Sequence, residues 1–215
     1  MISRRKTRTV KIGPVELGWQ APVALQSMTK VATTDVDACV EQANRLIDAG
    51  CDLVRIAVPT PDDTAALARI IPQVKAPVIA DVHFSRRRAI ESIEAGAAKI
   101  RLNPGNIKDP QDVDAIIDAA AANNVAIRAG VNEASIRDLR SGDIAPEKRC
   151  EWMLEKMREY VLIFEKKGFD QLVLSAKSAD TARTIEVNRL LAENFDYPLH
   201  LGLTHAGLPE DATIP

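Results

Sequence analysis

The chain has 215 residues, 46% of them hydrophobic and 27% charged, with a formal net charge of −2. That length can bury a full core as one domain, and the composition is that of a globular protein rather than a disordered one. No stretch approaches the roughly 18 apolar residues of a membrane span, so no membrane partner is expected. The balanced charge argues against a nucleic-acid binder while leaving room for a local basic site.

The N-terminal run Ser3-Arg4-Arg5-Lys6-Thr7-Arg8 is basic, and no apolar segment comes after it as it would in a secretory signal. It reads as a solvated lead-in. Lys11 to Gly18 reads as a short hairpin ahead of the main sheet, placed to plug its N-terminal end. A strand is expected over Val23 to Met28. Asp35-Val36-Asp37 then opens a helix with Val40, Ala43, Leu46 and Ile47 at helical spacing, and Ala49-Gly50 stops it.

The alternation continues. Asp52 to Val58 is a strand, and Thr60-Pro61-Asp62-Asp63 caps a helix. Ala76 to Phe84 is a strand and Arg86 to Ala95 a helix. Ala98 to Leu102 is a strand, and Asn103-Pro104-Gly105-Asn106 leads to a helix over Pro110 to Ala122. Val125 to Val131 is a strand, followed by an irregular insertion over Glu133 to Lys148 with a turn at Ser141-Gly142-Asp143. Cys150 to Lys167 is a long amphipathic helix. Leu172 to Ala176 is a strand, Asp180 to Asn194 a helix and Leu199 to Thr204 a strand.

Seven strands and six helices in regular alternation predict an α/β protein with a parallel sheet. No GxGxxG follows the first strand and no GxxxxGK[ST] occurs, which weakens the nucleotide-binding open sheets. Even strand spacing favours a TIM (β/α)8-type barrel, one domain over residues 1–215, ending after about seven strands with a short N-terminal hairpin. Cys39, Cys51 and Cys150 are odd in number and widely spaced. They predict reduced, buried thiols in a cytoplasmic protein, with neither a disulfide framework nor a self-contained metal site.

Side chains two apart on a strand share a face. Arg55 falls in the second strand, Asp81 and His83 in the third, Arg101 and Asn103 in the fourth. Arg128 and Asn132 fall in the fifth, and Ser175 and Lys177 in the sixth. All lie toward the C-terminal ends of their strands, the face that carries barrel active sites. One arginine there is ordinarily a surface salt bridge, and one histidine ordinarily structural. Four cations around one mouth, with Asp81 alone among carboxylates, would repel one another without an anionic ligand. The planar guanidinium fork suits phosphoryl oxygens, so a small phosphate or diphosphate ester is expected. Asn103, Asn132 and Ser175 are placed to orient its hydroxyls, although the Asn103-Pro104-Gly105-Asn106 stretch reads equally well as turn chemistry.

Seven stretches carry a resemblance. They are Gln26-Ser27-Met28-Thr29, Ala49-Gly50-Cys51-Asp52-Leu53-Val54-Arg55 and Ala80-Asp81-Val82-His83-Phe84; Lys99-Ile100-Arg101-Leu102-Asn103-Pro104-Gly105-Asn106 and Arg128-Ala129-Gly130-Val131-Asn132; then Ser175-Ala176-Lys177 and Leu199-His200-Leu201-Gly202-Leu203-Thr204. In this order they resemble the 4-hydroxy-3-methylbut-2-enyl diphosphate synthase (IspG/GcpE) family of the non-mevalonate isoprenoid pathway. The resemblance implies a barrel that binds 2-C-methyl-D-erythritol 2,4-cyclodiphosphate, opens its ring and reductively removes a hydroxyl. It implies a [4Fe–4S] cluster held by a C-terminal ferredoxin-like domain, reduced ferredoxin or flavodoxin as electron donor, and a homodimer. It places substrate-binding roles on Arg55, Arg101, Asn103, Arg128, Asn132, Ser175 and Lys177, and catalytic roles on Asp81 and His83.

Two departures accompany it. The family's Thr-Glu-Ala-Gly after the seventh strand reads Thr204-His205-Ala206-Gly207 here, so its acid–base role falls on His205, a residue that titrates near neutral pH. The three cysteines match none of the family's cluster ligands, which lie beyond Pro215. The expectation is that these 215 residues alone bind no cluster, hold no metal and show no turnover. The alternatives are a dihydropteroate synthase-like or other phosphate-binding barrel and a non-catalytic ligand-binding barrel. A cysteine-rich continuation would favour the synthase over the transferase.

Overall fold

A computed structural model describes residues 4–82, 85–107, 109–139 and 144–202. His83, Phe84, the Ser141-Gly142-Asp143 turn, Leu203, Thr204 and His205 lie outside the described residues.

The expected hairpin is present as β1 (Val10–Ile12) and β2 (Val15–Leu17), paired antiparallel. The main sheet has six parallel strands in chain order. These are β3 (Gln26–Met28), β4 (Leu53–Ala57), β5 (Val78–Asp81), β6 (Lys99–Leu102), β7 (Ala126–Asn132) and β8 (Leu172–Lys177). Six helices accompany them: α1 (Val36–Asp48), α2 (Pro61–Ile70), α3 (Arg86–Glu94), α4 (Pro110–Ala122), α5 (Arg149–Lys166) and α6 (Thr181–Asn194). A doubly wound sheet reverses its strand order at a switch point. No reversal occurs here, and the sheet curls as a (β/α)-barrel wall. Where the seventh strand was expected, the described residues make one parallel bridge, Leu174 to Leu199.

Local chemistry sets the helix starts. The side chains of Asp35, Ser85, Asp109 and Asp180 each accept a hydrogen bond from a backbone N–H of the first turn. Thr60 and Asp63 form a reciprocal capping box, with Pro61 at the first helical position. Such caps contribute about 1 kcal/mol each. Gly50 ends the turn after α1 at φ +105°, a conformation side chains rarely adopt.

Strand parity divides the interior into two cores. Val54, Ile56, Val78, Ala80, Ile100, Ile127, Ala129 and Leu174 point outward and pack in the main core with the helices. Leu53, Ile79, Ala126 and Val173 point inward, at the N-terminal ends of their strands. There they meet Val10 and Ile12 of the hairpin, both fully buried. The hairpin therefore plugs the barrel floor, as its sequence position suggested.

Two expectations need correction. The basic lead-in is not simply solvated. Arg5 donates to the carbonyls of Phe195 and Tyr197. Arg8 donates to Asp196 Oδ2 at 2.9 Å and stacks 4.4 Å from the Tyr197 ring. Guanidiniums satisfy loop carbonyls well, so the run straps the N-terminus to the segment after α6. Second, Cys39 and Cys150 are buried, but Cys51 is only partly so, because it sits in the turn before β4. The first residue of the irregular insertion after β7, Glu133, is tied to the helices that follow. Glu133 bonds Arg149 and Arg183, each at 2.8 Å, and accepts from the Ser178 hydroxyl.

Candidate functional site

The curled sheet brings the polar strand-end residues to one mouth. Along one row of the ladder, Ala57 pairs with Asp81, Asp81 with Arg101, and Arg101 with Arg128. One rung lower, Met28 pairs with Arg55. Two residues above Arg128, Gly130 pairs with Ser175, and four above it Asn132 pairs with Lys177. A cavity of about 200 Å³ is lined by Arg55, Asp81, Arg101, Arg128, Gly130, Asn132, Ser175 and Lys177. Of the sequence-derived candidates within the described residues, only Asn103 does not line it.

Charge is unbalanced in this mouth. Asp81 is 5% exposed and lies 3.6 Å from Arg55 Nε and 3.9 Å from Arg101 Nε. Arg55 also donates to the Met28 sulfur at 3.0 and 3.1 Å, a weak acceptor. Arg128 is 5% exposed, and among the described residues its Nη1 has no hydrogen-bond partner. Burial, then Arg55 and Arg101, push its pKa down to about 9. Burial lowers Arg101 as well, opposed by Asp81. Lys177 is lowered to about 8, by burial first and then Arg128, Arg55 and Arg101. These three shifts have one sense: burial first, and the neighbouring cations after it, disfavour a further positive charge here.

The asparagines and Ser175 divide by their partners. Asn103 Oδ1 accepts from the Gly105 N–H at 3.1 Å and the Tyr160 hydroxyl at 2.9 Å, while Nδ2 donates to Ser135 Oγ at 3.3 Å. It caps the turn after β6, so the turn-chemistry reading describes its bonds. Asn132 Oδ1 accepts from the Ser135 N–H and hydroxyl at 3.1 and 3.2 Å, which orients its amide over the small cavity. Ser175 is 2% exposed in the cavity wall.

Two residues not assigned from sequence also belong to this interior. Lys99 is 1% exposed, and His200 follows the Leu199 bridge. Both line a cavity of about 700 Å³ with Gln26, Arg55 and Lys177. Burial, then Arg128 and Lys177, drive the His200 imidazole down to about 2, so it is neutral at any physiological pH. Lys99 was legible by parity, two residues before Arg101, but its place in the first half of the strand hid it. His200 falls in the expected strand over Leu199 to Thr204, but at its start rather than toward its C-terminal end, so it was not singled out.

Cys39, Cys51 and Cys150 are dispersed over α1, the turn before β4 and α5. Among the described residues, no three cysteine, histidine or carboxylate side chains converge as a metal site. The described residues therefore do not fit an iron–sulfur cluster.

The chain has clear relatives among known proteins. The family model described as the GcpE TIM-barrel domain matches residues 7–215. The chain is 42% identical over 213 residues to the 4-hydroxy-3-methylbut-2-en-1-yl diphosphate synthase (flavodoxin) of Malacoplasma penetrans, covering 98% of this chain and 58% of that protein. It is 43% identical to the protein of the same name from Rhodospirillum rubrum, over 99% of this chain and 55% of that one. The Thermotoga maritima protein of that name is 42% identical, over 96% and 58%. The chain thus spans less than two thirds of these relatives. Among solved structures, dihydropteroate synthase from Thermus thermophilus is similar at a TM-score of 0.60 and 18% identity, over 93% of this chain and 77% of that one. Yersinia pestis dihydropteroate synthase gives 0.59 at 15% identity, over 89% and 74%. These two likenesses concern the fold alone.

Proposed function

This chain belongs to the GcpE TIM-barrel family, and from that premise we propose that it is the substrate-binding barrel of a 4-hydroxy-3-methylbut-2-en-1-yl diphosphate synthase. The ligand is 2-C-methyl-D-erythritol 2,4-cyclodiphosphate. The observation that carries this reading is Arg128: a buried guanidinium with an unpartnered Nη1 among the described residues, beside Arg101 and facing a small cavity. A diphosphate supplies the acceptors that the mouth lacks. Arg55, Arg101, Arg128 and Lys177 hold its oxygens. Asn132 and Ser175 orient the carbon skeleton's hydroxyls, while Asn103 acts through the turn it caps.

The reaction is a reductive ring opening with loss of a hydroxyl, a two-electron step in non-mevalonate isoprenoid synthesis. Asp81 lies at the cavity wall, close to where a ligand hydroxyl or leaving oxygen would sit, and is suited to position it or relay a proton. His83 and His205 take the remaining acid–base roles in this reading. A [4Fe–4S] cluster would supply electrons in the whole enzyme. The described residues do not form its ligand set, and no step is assigned to it. Flavodoxin, named in the relatives, or ferredoxin is the donor, and the whole enzyme works as a cytoplasmic homodimer.

Isothermal calorimetry with the cyclodiphosphate tests the reading. Arg128→Ala is expected to weaken binding at least tenfold, as loss of a charged hydrogen-bonding group does. Unchanged affinity would remove the anion site.

A further inference from the structure

Beneath the mouth, Lys99 stands between the arginines and the apolar floor. Its rung partners are Ile79 and Ala126, both buried against the hairpin plug. Its Nζ donates to Gln26 Oε1 at 3.3 Å, a neutral acceptor. Among the described residues no carboxylate lies within ion-pair distance of it. The cavity of about 700 Å³ that reaches it is lined by Arg55, Lys177 and His200, and also by Leu17 and Leu53 of the floor.

We propose that Lys99 is a positioning residue of the anion site, an ammonium that takes up a proton from solvent when an anion settles among Arg55, Arg128 and Lys177. The proposal rests on the anion-site reading above and deepens it. The electrostatic surroundings explain why the proton comes with the ligand. Among the described residues, the elements packed around Lys99 present either no charge or positive charge, with one exception. β3 offers Gln26 and Met28, β4 Arg55, β6 Arg101, β7 Arg128, β8 Lys177, and the Leu199 segment a neutral His200. Among these described groups Asp81 of β5 alone is acidic, and it already lies within 4.0 Å of Arg55 and Arg101. Burial first, then Arg128 and Arg55, lower the Lys99 pKa to about 7. An arriving anion reverses the sign of the local field and restores the ordinary affinity of an amine for its proton. The charge then holds the anion from below, where a fixed arginine would have repelled its neighbours throughout.

Inorganic pyrophosphate is the probe, titrated into the whole chain at pH 8 in buffers of different ionisation enthalpy. From free pKa values of about 7 and 8, Lys99 contributes up to about 0.9 proton and Lys177 up to about 0.5. Lys99→Met, close in length and apolar, is expected to lose more than half of the uptake. It is also expected to flatten the rise of Kd between pH 7 and 9, which approaches tenfold per pH unit for each proton taken up. Lys99→Gln, checked for native circular dichroism, guards against a packing effect of methionine. Equal proton uptake in wild type and both variants overturns the proposal while leaving the anion site standing. Pyrophosphate binding that is absent in wild type overturns both.

Discussion

Arg101 and Arg128 occupy one rung of the β6–β7 ladder, and Asp81 is the next residue along the same row. Two guanidiniums side by side in a buried wall repel each other, and Asp81 is the nearby group of opposite sign. The arrangement is tolerable in the free protein because of that carboxylate, and becomes favourable when an anion arrives.

Removal of the carboxylate should therefore be costly before ligand is added. Asp81→Asn is expected to destabilise the free protein by about 3 kcal/mol, the usual loss when a buried charge pair is broken. Pyrophosphate at 100 times its Kd should return about 2.7 kcal/mol to either protein by mass action. Thermal unfolding with and without pyrophosphate checks both. An Asp81→Asn protein as stable as wild type would show that the arginines do not repel.

Alkaline pH should stabilise the free barrel. Lys99, lowered to about 7, and Lys177, lowered to about 8, bind fewer protons folded than unfolded up to the ordinary lysine value of 10.5. The unfolded chain holds the extra protons, so stability rises with pH across that window. The Lys99 share approaches about 1 kcal/mol per pH unit between pH 7 and 9. Urea unfolding at pH 7, 8 and 9 should show a smaller rise in Lys99→Met than in wild type.

The opposite limb concerns His200. Its imidazole falls from 6.5 to about 2, through burial first and then Arg128 and Lys177. Unfolding lets it take a proton below pH 6.5, so its contribution is present above that value and is lost as pH falls. His200→Gln should flatten the loss of stability between pH 6.5 and 4, by at most about 1.4 kcal/mol per pH unit. Identical acid-unfolding curves would place His200 in contact with water.

The turn after β6 depends on a close approach. A Cβ on Gly105 would lie 2.2 Å from the Tyr160 hydroxyl, which accepts from the Gly105 N–H at 3.0 Å and donates to Asn103 Oδ1 at 2.9 Å. Gly105→Ala is expected to cost about 1–3 kcal/mol, as overpacking does. Adding Tyr160→Phe should recover part of that loss, because it deletes the clashing oxygen. Additive losses in the double-mutant cycle would show that the two do not touch.

Much of this architecture was legible before the fold. Helix starts follow from Asp35, Thr60, Ser85, Asp109 and Asp180, because capping is a local bond between near neighbours. Strand parity put Arg55, Asp81, Arg101, Arg128 and Lys177 on inward faces, since alternation is a property of extended backbone. The hairpin over Lys11 to Gly18 was readable from its turn. Arg5 and Arg8 were not readable as a strap, because their partners at Phe195 to Tyr197 lie far along the chain.

What the sequence determined by itself is the order of the elements and which side chains face inward, because both rest on local chemistry and a two-residue period. The tertiary structure decided which inward residues share one electrostatic field. Register places Arg101 against Arg128 rather than a residue lower, and the hairpin seals the floor under Lys99. The curl of the sheet and the Leu199 bridge bring His200 within reach of the same cations. Charge repulsion and desolvation depend on distance and burial, and neither quantity exists until the strands are side by side.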